Sequence, residues 1–155
     1  MKIAIALVAA LTAALPAATL TGDKALVIGA HEVQAQLVQL VSEAKTSSSS
    51  GLTLASYGNL ALKLSVRTAS GGAEIHAHYD DLMIVQQGSA TLVTGGKVIN
   101  AKIDAGGETK GTAIQNGRLQ AISAGDVIIV PAGVPHQLLI PPGSTYSALV
   151  AKVRE

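Results

Sequence analysis

A chain of 155 residues is the size of one domain. With no cysteine it can form no disulfide and carry no cysteine-linked lipid. At 2% aromatic residues it lacks the stacking surfaces usual in sugar- and base-binding pockets. Eleven Lys and Arg stand against ten Asp and Glu, and no basic cluster offers a footprint for nucleic acid or anionic lipid.

The chain opens with Lys2, an apolar run from Ile3 to Leu15, and the small residues Pro16-Ala17-Ala18. A charged start, an apolar middle and a small-residue end is the layout of a secretory signal peptide. The run is short for a membrane span, which takes about 20 apolar residues. Residues 1–18 are therefore expected to be removed on export, after Ala17 or Ala18, giving a periplasmic or secreted product with no membrane attachment. Without Lys2 the eleven basic residues become ten, equal to the ten acidic ones.

Residues 19–51 form the next unit. Over 31–45, Val33, Leu37, Leu40, Val41 and Ala44 share one helical face. Such a helix packs on the outside of a larger unit or on a second copy, which leaves a homodimer open. His31, near its start, reads as a surface residue. Thr46 to Gly51 has the composition of a flexible linker.

From Leu52 to residue 155 the period becomes two. Leu60, Leu62 and Leu64 alternate with Ala61, Lys63 and Ser65, a half-buried strand. Ala69 to Gly72 is a turn and Ala73 to His78 the next strand. Leu82 to Val85 continues towards Gly88. Ala90 to Val93, Gly95-Gly96 and Lys97 to Ile99 read as a hairpin. A long segment follows, Ala101 to Gly117. Its glycine-rich part, Asp104 to Gly111, reads as a mobile lid or a solvated flap, and as a lid it would bring Glu108 or Lys110 to a ligand. Arg118 to Ile122 returns to strand. Gly125-Asp126 is a turn, Val127 to Val130 a buried strand, and Pro131 with Gly133 a tight reversal. His136 opens the next strand. Tyr146 to Val153 closes the chain after the Pro141-Pro142-Gly143 turn. Many short strands with glycine turns predict a barrel or sandwich.

Within this frame one stretch carries metal chemistry. On a strand, His76 and His78 point the same way and Ala77 the other. Two imidazoles on one face, with a carboxylate a few residues on, can supply three ligands to one ion. No nucleophile motif, phosphate loop or zinc-finger spacing stands beside it.

The spacing Gly125, five residues, Pro131, one residue, Gly133, two residues, His136 resembles the second motif of the cupin superfamily, with Ile140 where an Asn often stands. His76-Ala77-His78 with Gly88 resembles the first motif. Asp81 replaces its Glu, only Tyr79 and Asp80 separate Asp81 from His78, and Gly71 is one place off the leading Gly. The resemblance covers residues 52–153. It implies an all-β fold, a cupin-type antiparallel jelly-roll barrel, here with one N-terminal helix. It implies one divalent transition metal held by His76, His78, Asp81 and His136, with Asp80 competing for the carboxylate role. Neutral imidazole suits Mn, Fe, Ni, Cu and Zn alike. The expected function is a metal-dependent enzyme on a small organic molecule, an oxygenase, isomerase or lyase. The alternatives are a non-catalytic metal- or ligand-binding cupin and a structural one that binds nothing.

Overall fold

The computed structural model describes residues 18–19 and 25–155, so all but Ala18 of the export segment expected over 1–18 lies outside the described residues. In chain order the elements are β1 (Ala18–Thr19), α1 (Ala30–Ser47), β2 (Ser49–Tyr57), β3 (Leu60–Arg67), β4 (Ala73–Ile75), β5 (Tyr79–Gln87) and β6 (Ser89–Thr94). They continue with β7 (Lys97–Ile99), β8 (Lys102–Ile103), β9 (Thr109–Gly111), β10 (Ala113–Gln115), β11 (Arg118–Ser123), β12 (Val127–Val130), β13 (His136–Leu139) and β14 (Tyr146–Arg154). Two six-stranded sheets form, in the orders β1-β2-β3-β14-β5-β12 and β11-β6-β13-β4-β9-β8, with a small β10-β7 pair beside them. All pairings are antiparallel except β1 with β2. This is the all-β jelly-roll architecture expected, with its one helix. Among the described residues no helix is long and apolar enough to cross a membrane.

Helix α1 lies against β2 and β3, using the face read from its periodicity. Leu37, Leu40 and Ala44 are buried with Leu64 and Val66, and Val33 and Val41 pack around them. Fully burying a leucine contributes about 1.5–3 kcal/mol, so this interface holds the helix more firmly than its N-terminus, where Gly29 supplies no side-chain cap.

The serine run after α1 is not the linker expected. Ser48 takes a left-handed φ of 68° and Ser49 already begins β2. The Ser50 hydroxyl donates to Leu40 O at 2.6 Å, and that of Thr68 to Ala44 O at 2.8 Å. Ala44 O is among the last four helix carbonyls, which have no donor within the helix, and both hydroxyls tie helix to sheet.

Two further expectations change. Strands β6 and β7 do not pair with each other. Both edges of β6 are taken, by β11 and β13, and Gly95 N–H donates to Pro135 O at 2.9 Å; β7 turns away to pair with β10. The segment Asp104 to Gly111 is no loose lid. Strand β9 is paired to both β4 and β8. Asp104 Oδ1 accepts from Gly106 N–H at 2.8 Å and Glu108 N–H at 3.0 Å, which fixes the turn between β8 and β9.

The largest buried cluster lies between the sheets. It contains Met83, Val85, Leu92, Ile122, Ile128, Val130, Ile140, Tyr146 and Ala148, among others. The inward face of β5 follows from alternation. Asp81, Met83 and Val85 are buried while Asp80, Leu82 and Ile84 are only partly so.

Candidate metal centre

Beside this apolar cluster the interior opens into a cavity of about 210 Å³. Its lining includes Glu74, His76, Asp81, His136 and Lys152. Both sheets build it. Glu74 on β4 and His136 on β13 are directly paired residues of one sheet. Asp81 on β5 and Lys152 on β14 are directly paired residues of the other. His76 stands in the connection between β4 and β5, where Gly133 N–H donates to its carbonyl at 2.8 Å. Gly133 itself sits at φ 76°, a conformation glycine adopts without steric cost. The Pro131–Gly133 reversal therefore holds His76 in place as well as leading into His136.

One ligand atom from each of Glu74, His76 and His136 lies within 4.8 Å of the others. His76 Nε2 is 3.8 Å from Glu74 Oε2 and 3.3 Å from Asp81 Oδ2. Both fall inside the roughly 4.2 Å that separates two ligands on opposite sides of one ion at about 2.1 Å. The imidazole rings stand 5.0 Å apart and tilted by 54°.

The outer nitrogens are committed. His136 Nδ1 lies 3.0 Å from Val134 O, which can only accept. The Nδ1–H is thereby fixed and the Nε2 lone pair is free. His76 Nδ1 meets the Glu108 carboxylate, to the same effect. Metal-binding histidines are held in this way, the far N–H donated to a carboxylate or carbonyl. The cluster of two imidazoles and the Glu74 carboxylate therefore could hold a divalent transition ion, with the Asp81 carboxylate beside His76.

Electrostatics differ across the group. Burial pushes the His76 pKa down, but hydrogen bonds to Asp81 and Glu108 outweigh it and leave it above the ordinary value. Burial holds His136 below its ordinary value, only partly opposed by the Val134 carbonyl. Burial pushes Asp81 up, yet hydrogen bonds to His76 and Lys152 hold it below the usual carboxylate range. Lys152 Nζ is 2.7 Å from Asp81 Oδ1 and 5.8 Å from the centre of the Tyr79 ring.

Of the four ligands expected, His76, Asp81 and His136 line the cavity and His78 does not; only His76 and His136 belong to the cluster with Glu74. Strand β4 ends at Ile75 and β5 begins at Tyr79, so period-two alternation does not run through the His pair. His78 is exposed, and a Cβ placed on Gly107 would fall 3.4 Å from its Nε2. Asp80 points the other way from Asp81 and accepts from Ala132 N–H at 2.8 Å, pinning the reversal. His31 is exposed on α1, as expected.

Glu74 was not anticipated. Its signal is its place two residues before His76, with the following strand partner a histidine. Lys152, in the closing strand, carries no local signal. Glu108 was anticipated only as a residue that could meet a ligand; it meets His76 instead. Lys110 is exposed on β9.

A protein of Bacillus halodurans superposes with a TM-score of 0.54 at 17% identity, covering 74% of this chain and 76% of its own. The DMSP lyase DddQ of Ruegeria pomeroyi gives 0.52 at 14%, over 71% and 49%. The polyketide cyclase RemF of Streptomyces resistomycificus gives 0.52 at 20%, over 70% and 66%. The chain has a cupin-like jelly-roll fold. The chain spans about half the length of the lyase and two thirds of the cyclase. At these identities the cupin likeness is one of fold. No protein-family model matches the sequence, and no curated protein matches it.

Proposed function

We propose that this cupin-fold chain binds one divalent transition ion through Glu74, His76, Asp81 and His136 and acts there on a small organic molecule. One observation carries the reading. Both histidines have Nδ1 at an acceptor, His76 Nε2 faces Glu74 and Asp81, and a ligand atom of His136 lies within 4.8 Å of ligand atoms of Glu74 and His76 in the cavity. A bound ion would supply Lewis acidity towards a substrate oxygen. The chain's own groups do the rest. Glu108 orients His76, and the Val134 carbonyl orients His136. Lys152 keeps Asp81 ionised and fixes which of its oxygens faces His76. The cavity, at about 210 Å³, holds roughly seven water molecules' share of liquid volume. That is below the roughly 300 Å³ where drug-sized ligand pockets begin, so the substrate is small.

Metal analysis of the purified chain tests the centre. About one ion per chain is expected, with most of it lost in His136→Ala and in Glu74→Gln and retained in His78→Ala. Wild-type protein that stays metal-free after incubation with Mn, Fe, Ni, Cu and Zn in turn removes the reading. Ion-dependent conversion of a small-molecule panel, lost in Glu74→Gln, separates an enzyme from a protein that only binds. Export belongs to the same proposal and rests on residues 1–18. Mature protein from the cell envelope or medium should begin near Ala18 or Thr19, and an intact Met1 there would remove that part.

A further inference from the structure

The cavity has a second wall that the metal ligands do not use. Lys63, Ser65 and Arg67 occupy alternate positions of β3, and all three line it. The intervening Leu64 and Val66 are buried against α1. The helix thus takes the apolar face of β3, and the cationic face is left to the interior. Lys63 and Arg67 are both half-buried. Among the described residues neither side chain has a hydrogen bond or an ion pair, whereas Lys152 is already held by Asp81. Arg67 packs closely on Gly71. A Cβ on Gly71 would fall 2.5 Å from its Nη1, so the guanidinium lies against bare glycine backbone.

Three lysine and arginine side chains line the cavity against two carboxylates, Glu74 and Asp81. Half-buried cations without counter-charges are costly to keep unless an anion joins them. A planar guanidinium matches a carboxylate, which Arg binds through two parallel hydrogen bonds, and Lys63 adds a second positive charge to the same wall. We propose that the cavity takes a small organic carboxylate, its carboxylate on Arg67 and Lys63 and its other end towards Glu74, His76 and His136. Only the direction of the molecule rests on the metal reading; the anion wall stands without it.

Titration calorimetry with malonate, its neutral diamide malonamide and inorganic phosphate tests this, on metal-loaded and on chelator-treated protein. Malonate should bind both preparations, at least about tenfold more tightly than malonamide or phosphate. Arg67→Gln and Lys63→Gln should each weaken malonate at least about tenfold, while metal content stays as in wild type. Arg67→Lys, which keeps the charge and loses the fork, should fall between wild type and Arg67→Gln. His136→Ala should lose the metal and keep malonate binding. Circular dichroism confirms that each variant is folded. Equal affinity for malonate and malonamide overturns the proposal, as does equal affinity for phosphate. So does unchanged malonate binding in folded Arg67→Gln and Lys63→Gln. Failure of the metal reading alone would appear as absent metal with malonate binding intact.

Discussion

The interior of this barrel has two regions built from the same strands. Along β5 and β14, Val85 and Ala148 lie in the apolar cluster, while Asp81 and Lys152 meet in the cavity a few residues away. The apolar region is filled by aliphatic side chains, since the chain has no Phe or Trp. Its one aromatic ring, Tyr146, is fully buried with a hydroxyl that has no partner, and burial pushes its pKa up to about 12. In the cavity the polar groups around His76 and Asp81 are instead paired with one another. Packing holds the first region and mutual charge pairing holds the second. A change in one should therefore leave the other's property largely intact.

The largest effect tests the apolar region. Leu92→Ala removes buried volume from the cluster and should cost about 2–5 kcal/mol in denaturant unfolding. The surviving folded protein should keep its metal stoichiometry. Loss of metal in parallel would show that the two regions act as one unit. Next comes the cavity. Glu108→Gln keeps the shape but loses the charge that holds His76 Nδ1, and should weaken metal binding about 10–100-fold, read by competition with a metal indicator. Its unfolding midpoint should move far less than that of Leu92→Ala.

A smaller effect has the opposite sign. Tyr146→Phe deletes an unpartnered buried hydroxyl, so thermal unfolding should show a gain of about 1 kcal/mol. A clear loss would mean that the hydroxyl has a partner in solution. The last prediction concerns pH in the metal-free protein. The folded pKa of His76 is raised by its two carboxylates. Its contribution to stability is therefore fully present below about pH 6.5 and lost as pH rises through the raised value. His136 works the other way, since its folded pKa is lowered and protonation below about pH 6.5 favours unfolding. The stability difference between wild type and His76→Gln isolates the first term. It should be greatest near about pH 5.5 and shrink as pH rises; a difference that grows with pH would contradict the pairing with Asp81 and Glu108.

The sequence by itself determined the elements and their inward faces where a pattern was local. The α1 stripe of Leu37, Leu40 and Ala44 and the Pro131–Gly133 reversal into His136 behave as their spacing predicts. It also pointed to His76, Asp81 and His136. Only the tertiary structure decided what meets them. The β4 strand stops before His76, because the His76 carbonyl binds Gly133 rather than a ladder partner, and this parts His78 from the group. Glu74 faces His136 through strand register, and Lys152 faces Asp81 across a sequence separation of 71. The alternation in β3 fixed that Lys63 and Arg67 share a face but not that the face looks inward. That was settled by α1 covering the leucine side. Periodicity says which residues lie together on an element; which side becomes the cavity depends on what packs against the other.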